Sequence, residues 1–362
     1  MKINIITCHD VYNLGASLQA FALQKYLGNC GHEVQTIDYK PDYLSHQYDL
    51  WSVSKKYNKS IVRILYLMAK LPGRILSLKR KRIFDDFTFH YLKLTARYHS
   101  NEELKRNPPQ ADVYIAGSDQ IWNTLFPNGK DPAFYLDFVP EGKRCISYAA
   151  SFATPSISSV YVSFVTKMLA RLDAVSVREK SALPLLNSLG RGDGVAVCDP
   201  VFLLSSDFWI SLLSPIKSRP YVLVYDFEHS ARIRQCAQFI AEQKGLDIIS
   251  VGPFPEKYAK KNFVNVGPLE FINLIQHSAY FISNSFHGTA FSLIFRKNFF
   301  VVNREEGINE RMKSLLKDLG LEERLVSGIQ RLSLDDIEYD EPLLKLQAVI
   351  RSSKDFLKKN LE

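Results

Sequence analysis

One segment of the sequence concentrates side chains that can bind an anion and move a proton. In residues 281–290, FISNSFHGTA, a predicted strand delivers Asn284 and Ser285, and His287 stands beside a glycine at a predicted helix start. An imidazole in that position can protonate a ligand whose anion rests on the helix N-terminus. We therefore predict that His287 is a general acid and that Asn284 and Ser285 bind substrate. The alternative is a histidine with a structural role.

A second polar segment, AGSDQIWN at residues 116–123, also follows a predicted strand. It supplies hydrogen-bond donors, acceptors and one flat apolar wall within eight residues, which favours a binding site. The alternative is an ordinary Gly-Ser-Asp turn with its tryptophan buried in the core. The predicted substrate-binding residues here are Gly117, Ser118, Asp119, Gln120, Trp122 and Asn123.

The loop after the first predicted strand is CHDVYNLGASLQ, residues 8–19. A glycine and small residues that open a helix leave free backbone N–H groups, which suit an anion. We predict substrate contacts from His9, Asn13, Gly15 and Gln19. The alternative is that Asn13 merely caps the helix.

Arg178 follows a predicted strand at 175–177, and its planar guanidinium offers a two-pronged contact to a carboxylate or phosphate. The alternative is a surface ion pair with Glu179, which would contribute little stability. The sequence contains no H-E-x-x-H, G-x-S-x-G or G-x-x-x-x-G-K-[ST] motif.

The elements that must position these residues alternate between short β-branched runs and helix-length amphipathic segments, which predicts an α/β fold. The pattern restarts after Asp199-Pro200, so we predict two lobes, 1–205 and 206–362. Ligands of open α/β sheets bind beyond the carboxyl ends of the strands, where the polar segments lie. Predicted strands are 3–6, 34–37, 113–115, 146–148, 175–177, 195–197, 222–224, 248–251, 281–283 and 299–302. Predicted helices are 16–27, 232–243, 269–277, 289–295 and 343–357.

The composition is that of a soluble globular protein, with 46% hydrophobic and 23% charged residues, and 362 residues suggest about two domains. The sequence contains neither a signal-peptide core nor an apolar run long enough to span a membrane. Its five cysteines include no C-x-x-C pair. We therefore expect a cytoplasmic protein without a disulfide framework, a metal or a cofactor.

The formal charge of +8 comes from residues 55–82, which contain ten basic residues and no acid. The rest of the chain has 36 basic and 38 acidic residues, which argues against nucleic-acid binding. We predict two helices broken at Pro72-Gly73, within an insertion near residues 50–100. The basic and apolar residues of this stretch predict contact with the anionic inner surface of a membrane. The alternative is that the apolar side packs on the first lobe and the charges are solvated.

Six pieces of sequence, taken in order, carry a likeness to a known family. They are His9 with N-x-G-A-x-L-Q-A from Asn13, GHEV at 31–34, GSDQIWN at 117–123, SVRE at 176–179, Asp199-Pro200 and SFHG at 285–288. Together they resemble the polysaccharide pyruvyl transferases. The resemblance implies two Rossmann-like lobes similar to the GT-B glycosyltransferase fold, with phosphoenolpyruvate as donor. It also implies a sugar acceptor on a surface polysaccharide or its lipid-linked precursor, and a pyruvate ketal as product.

The same resemblance implies a catalytic histidine and a catalytic arginine, for which His287 and Arg178 are the matching positions. Many members of that family carry an arginine two residues before the histidine, where this chain has Ser285. A cation is therefore missing from the expected phosphate or carboxylate site. Arg304 and Arg311 are candidates to replace it.

Two other functions fit the same residues. A nucleotide-sugar glycosyltransferase of the GT-B type would share the fold, and a nucleoside diphosphate would then protect the protein where phosphoenolpyruvate would not. A non-catalytic protein could instead use the basic stretch to hold an anionic partner. In that case His287 would be dispensable.

Overall fold

Two parallel β-sheets form the framework of the protein, for which we describe a computed structural model covering residues 1–44, 51, 53, 60–216, 218–304 and 309–362. The strands of the first sheet are β1 (Lys2–Ile6), β2 (Glu33–Tyr39), β3 (Leu94–Tyr98), β4 (Val113–Ala116) and β5 (Arg144–Ser147). They are ordered β3-β2-β1-β4-β5 and all pair in parallel. A short parallel pair, β6 (Ser176–Val177) and β7 (Val195–Ala196), continues this sheet through isolated bridges.

The second sheet repeats this plan in the other lobe. Its strands are β8 (Tyr221–Tyr225), β9 (Asp247–Val251), β10 (Lys261–Phe263), β11 (Tyr280–Ser283), β12 (Asn298–Val302) and β13 (Leu325–Val326). They are ordered β10-β9-β8-β11-β12-β13. The strand order reverses between β1 and β4 and again between β8 and β11, and such reversals open the crevice in which ligands of α/β sheets bind.

Helices flank both sheets and complete the predicted α/β fold with two lobes, which is confirmed. The helices are α1 (Leu14–Asn29), α2 (Ser60–Tyr91), α3 (Asn101–Arg106), α4 (Ser159–Leu169), α5 (Leu183–Ser188), α6 (Ser206–Ser211), α7 (Ala231–Lys244), α8 (Pro268–His277), α9 (Phe286–Ile294), α10 (Glu310–Leu319) and α11 (Asp340–Leu361). Each predicted strand is present, as is each predicted helix outside the basic stretch, with ends shifted by a few residues.

The basic stretch departs from its prediction. The break at Pro72-Gly73 is wrong, because α2 is one continuous helix of 32 residues that contains Pro72. Proline removes one intrahelical hydrogen bond and costs roughly 3 kcal/mol locally, but adding residues to an existing helix is far easier than starting a new one. Lys55, Lys56 and Lys59 lie outside the described residues. Among the described residues, no helix has the length and apolar character needed to cross a membrane.

Aromatic side chains join the two lobes in one continuous core. Trp209 of α6 is fully buried, and its ring lies 5.8 Å from Phe21 of α1 and 5.0 Å from Phe291 of α9. Its Nε1 donates to the carbonyl of Val201 at 3.0 Å, so its polar atom is satisfied as well. The indole therefore packs helices of both lobes against each other.

The last helix crosses back from the second lobe to the first. Ser353 of α11 accepts a hydrogen bond from the backbone N–H of Cys198 at 2.8 Å, and Arg144 of β5 donates to Asn360 at 3.3 Å. The segment after β7, which leads directly into Asp199, is thus fixed by a helix that is distant in sequence.

We expect Trp209→Ala to lower the free energy of unfolding by about 3–5 kcal/mol, because it leaves a cavity between the lobes. Trp51→Ala is the matched control, since the Trp51 side chain is 67% exposed and its loss should change stability by less than about 0.5 kcal/mol. Urea unfolding followed by circular dichroism compares the two variants. Equal stability losses would contradict the role assigned to Trp209.

Candidate active site

Two helix N-termini, one from each lobe, are capped by short polar side chains at the crevice. Asn13 accepts hydrogen bonds from the N–H groups of Gly15 and Ala16 at 3.0 and 3.1 Å. Ser285 accepts from the N–H of Gly288 at 3.2 Å. Because α9 begins at Phe286 and not at the predicted residue 289, the histidine that follows lies inside its first turn.

The two N-termini approach each other at His287. A Cβ atom at Gly15 would overlap the imidazole of His287, so only glycine leaves room for the ring at this point. The close approach explains a glycine inside a helix, where alanine would otherwise be favoured by about 1 kcal/mol. The His287 side chain is buried and points into the space between the lobes.

A buried ion cluster lies beside this histidine. Arg178 donates to Asp199 at 2.6 Å and to Asp119 at 3.0 Å. His287 Nε2 lies 3.4 Å from Asp199 Oδ2, without the alignment of a hydrogen bond, and Arg311 lies 3.6 Å from Asp119. The cluster draws its members from the loops after β4, β6 and β7 and from two helices of the second lobe.

The surroundings of Asp199, Asp119 and Arg311 shift the pKa of each of these cluster residues. Burial alone would raise the pKa of Asp199, but His287 and Arg178 outweigh it and hold that pKa well below the usual carboxyl range. The pKa of Asp119 is lowered in the same way, by Arg178, His287 and Arg311 acting against burial. Burial and repulsion from Arg178 lower the pKa of Arg311 to about 10, so its guanidinium stays charged at neutral pH.

A polar cavity of about 80 Å³ lies between these groups. Its lining combines residues from both lobes, and it brings together eight of the residues predicted to form the site. They are Asn13, Asp119, Gln120, Asn284, Ser285, His287, Arg304 and Arg311.

Two arginines flank the cavity close to Ser285. The Arg311 guanidinium lies 5.4 Å from the ring centre of Phe286, and the Arg304 guanidinium lies 4.9 Å from the ring of Phe227. Arg304 also donates to Glu228 at 3.3 Å. Arg304 and Arg311, the two candidates to replace the missing cation, therefore both line the cavity together with Ser285.

The comparison with protein families decides the assignment. The family described as polysaccharide pyruvyl transferase matches residues 13–306, which is most of the chain. This chain belongs to the polysaccharide pyruvyl transferase family. No curated protein matches the sequence significantly.

Solved structures show where this pyruvyl transferase family member stands in fold. The S. aureus MnaA–UDP complex is similar at 11% identity, with 99% of this chain and 97% of that chain covered and a TM-score of 0.50. AviGT4, a glycosyltransferase involved in avilamycin A biosynthesis, shares 12% identity over 99% of this chain and 97% of that chain, with a TM-score of 0.48. UDP-GlcNAc 2-epimerase from Neisseria meningitidis shares 9% identity over 97% and 100%, with a TM-score of 0.47. Such low identities concern the fold alone, and of these three only the MnaA complex, with its TM-score of 0.50, supports the two-lobed fold of the GT-B type.

Several family-motif residues lie beneath the cavity and are hydrogen-bonded within the first lobe. Gln19 donates to Thr7 at 2.9 Å and accepts from the N–H of Ser118 at 3.2 Å. The Ser118 hydroxyl donates to the carbonyl of Ala149 at 2.9 Å. Gly117 has a φ of +137°, and a Cβ there would overlap the carbonyl of Tyr148. These groups shape the backbone that delivers Asp119, and direct substrate contacts from them stay a prediction.

The end of the same motif is part of the first-lobe core. Trp122 is fully buried, stacks on Tyr135 with ring centres 5.5 Å apart, and donates to the carbonyl of Phe134 at 3.1 Å. Asn123 is also buried and donates to Gln120 at 2.9 Å. Trp122 is therefore buried in the core, as the alternative interpretation expects. Asn123 holds Gln120, which lines the cavity.

His9 does not line the cavity. Its Nε2 lies 3.6 Å from Asp38, which accepts a hydrogen bond from Arg97 at 2.8 Å. The neighbouring pair of Lys40 and Asp10 belongs to the same polar edge of the first sheet. This arrangement pairs His9 with Asp38, and the substrate contact predicted for His9 remains a prediction.

Sequence reasoning missed two acidic residues of the site. It took Asp199 as a mark of the lobe boundary and as part of the family resemblance but gave it no role, and it did not select Asp226, which accepts from Asn284 at 2.9 Å. Both follow a strand directly or within a few residues, so the strand-end rule could have found them. Within the described part of the chain, no group of three or more His, Cys, Asp or Glu side chains is placed to hold a metal ion.

We expect the stability of this pyruvyl transferase family member to fall as pH drops below about 4. A carboxylate whose folded pKa is depressed stabilises the protein above its unfolded pKa, and that contribution is lost as pH falls through the folded pKa. Asp199 meets this condition. Urea unfolding between pH 3 and pH 7 measures the effect.

Asp199→Asn separates this contribution from general acid unfolding. The variant should lose about 3–5 kcal/mol at neutral pH, because Arg178 is left with one buried carboxylate fewer, and its stability should depend less on pH. Asp193→Asn is the control, since Asp193 pairs with Arg191 at an exposed position and should cost less than about 1 kcal/mol. An unchanged acid profile in Asp199→Asn would contradict this account.

Proposed function

We propose that this family member transfers pyruvate from phosphoenolpyruvate to two hydroxyls of a sugar, giving a pyruvate ketal. Membership of the family supports a transferase that pyruvylates polysaccharide. The donor and the ketal product rest on the site. The observation that carries them is a buried histidine at two facing helix N-termini, beside two arginines and a carboxylate.

The cavity suits a donor with two anionic groups. Phosphoenolpyruvate carries a carboxylate and a phosphate, and guanidinium forks bind either group with two hydrogen bonds. Arg304 and Arg311 lie on the cavity wall, and the N-termini of α1 and α9 add positive dipole ends. We propose that these arginines replace the arginine that many family members carry at the position of Ser285, and that each binds one anionic group of the donor.

The reaction balances without another reactant. A proton is added to the methylene carbon of the enol, and the first sugar hydroxyl bonds to the adjacent carbon. The C–O bond to phosphate breaks, and the second hydroxyl closes the ketal. The sugar gives up two hydroxyl protons. One balances the proton added to the methylene carbon, and the other leaves with phosphate.

His287 is the proposed proton donor. The carboxylate of Asp199 lies 3.4 Å from Nε2, so a negative group faces the imidazole that would give the proton. Because the site is buried, a fixed charge acts more strongly there than in water.

Arg178 is better placed to position these groups than to hold the donor. Both of its terminal nitrogens already donate to carboxylates, of Asp199 and Asp119. The clamp predicted from the sequence would require a donor oxygen to replace Asp119. We therefore propose that Arg178 orients Asp199 toward His287.

Donor binding is tested by thermal unfolding with phosphoenolpyruvate or UDP at millimolar concentration. We expect phosphoenolpyruvate to raise Tm by mass action and UDP to leave it unchanged. Incubation with candidate oligosaccharides should then release phosphate and add one pyruvate group by mass spectrometry. Stabilisation by UDP alone would favour the nucleotide-sugar glycosyltransferase and overturn the proposal.

We expect His287→Ala to lower phosphate release by about 10²-fold or more. His277→Ala is the control, because that histidine ends α8 and contacts the carbonyl of Asn273 outside the cavity. Near-normal turnover of His287→Ala would remove it from the mechanism.

A second variant tests the position of the imidazole without replacing His287. Gly15→Ala should displace the His287 ring and reduce turnover by about 10²-fold, since small misplacements of a reacting group have effects of that size. Gly28→Ala lies in the same helix with open space around its Cβ position, so it should keep normal turnover and equal or greater stability. Equal activity in both variants would contradict the close approach at Gly15.

A further inference from the structure

The first half of α2 presents an apolar surface to solvent. Ile61, Ile64, Leu65, Met68 and Ile75 are each between 53% and 75% exposed. Their spacing places them on a single stripe of the helix, about 100° wide. We call these five side chains the apolar face of α2. An exposed apolar stripe of this kind marks an interaction surface.

Positive charge accompanies the apolar face. The sequence has no aspartate or glutamate from residue 50 to residue 84. Arg63 and Lys70 are exposed on the side of the helix opposite the apolar face, and Lys79 and Arg82 are exposed further along the helix. Helices whose charges are merely solvated usually mix both signs. Charge of one sign beside an apolar stripe is typical of a helix that lies in the headgroup region of an anionic membrane.

The second half of α2 anchors this surface to the protein. Phe84 and Phe87 are buried in the core, and Arg80 donates to the carbonyl of Tyr12 at 3.0 Å. The Tyr12 hydroxyl donates to Asp85 at 3.2 Å. By contrast, none of the residues from 61 to 73 is fully buried. The apolar face is therefore carried on an extension of a firmly held helix.

We propose that the apolar face of α2 docks on an anionic phospholipid bilayer, with the helix lying along the surface. A second copy of the chain is a poorer partner, because two such helices would bring charges of the same sign together without acids to pair them. Bilayer headgroups supply the complementary charge, and the acyl boundary accepts the apolar side chains.

Docking here would also orient the cavity. The anchor at Tyr12 directly precedes Asn13, which caps α1 and lines the cavity. Because α2 is held next to the residue that caps α1, a bilayer bound along α2 would keep the crevice at a fixed orientation to its surface. If the proposed function holds, on which this one step rests, an acceptor joined to a lipid would reach the cavity from that surface.

Co-sedimentation of the full chain with vesicles tests the docking. Phosphatidylglycerol-containing vesicles should bind at least tenfold more protein than pure phosphatidylcholine vesicles, and raising the salt should weaken this binding. Leu65→Gln/Met68→Gln should reduce binding at least tenfold, whereas Leu344→Gln should not, since Leu344 is an equally exposed leucine on α11.

The contribution of charge is tested with a pair matched in net charge. Lys70→Gln/Lys79→Gln should reduce binding to anionic vesicles several-fold, and Lys358→Gln/Lys359→Gln, on exposed positions of α11, should leave it unchanged. Circular dichroism confirms that each variant is folded.

Three results would overturn the proposal. They are negligible binding to both vesicle types, full binding by Leu65→Gln/Met68→Gln, or a wild-type dimer that this variant converts to monomer, which would assign the face to a second copy. None of these measurements uses phosphoenolpyruvate or an acceptor. Vesicle binding without pyruvyl transfer would therefore refute the proposed function and leave the docking standing.

Discussion

The burial of Asp199 constrains the rest of the molecule. Removing a carboxylate from water costs several kcal/mol, and the cost is offset only when charged partners are held in good geometry. Here one partner, Arg178, belongs to the first lobe, and the other, His287, belongs to the second. The ion cluster is therefore stable only when both lobes are held in register, so the accuracy of the site depends on contacts far from it.

Those contacts include an apolar junction between helices and a polar contact made by the last helix. Trp209 packs between α1 and α9, the two helices whose N-termini meet at Gly15 and His287. The last helix, α11, returns to the first lobe and binds the backbone next to Asp199 through Ser353. The two arrangements fix the helices and the carboxylate separately, and together they determine the distance between His287 and Asp199.

Much of the fold could be predicted from the sequence because its central strands are β-branched and apolar, and helices such as α8 and α11 have clear amphipathic periods. The strands that were missed, β3, β10 and β13, lie at the edges of their sheets, where short and more polar sequences are normal. Pro72 misled the prediction because its effect on a helix is local, while the length of α2 is determined by the residues around it.

The candidate site was predictable to the extent that it follows strand ends. That rule located His287 and Asp119, which the structure places around one cavity. It could not separate residues that face the cavity from residues that support it, such as Gln19 and Trp122, because both kinds are polar or aromatic and follow the same strands. The partnership of Asp199 with Arg178 and His287 depends on tertiary contacts, which no local pattern encodes.

The three tryptophans of the chain occupy three different settings. Trp51 is exposed, Trp122 is buried within the first lobe, and Trp209 is buried between the lobes. Indole emission moves to longer wavelength when water reaches the ring, so each residue reports a different event. Replacing Trp51 and Trp122 by phenylalanine would leave a single tryptophan, at the junction, whose emission wavelength follows the separation of the lobes without any attached dye.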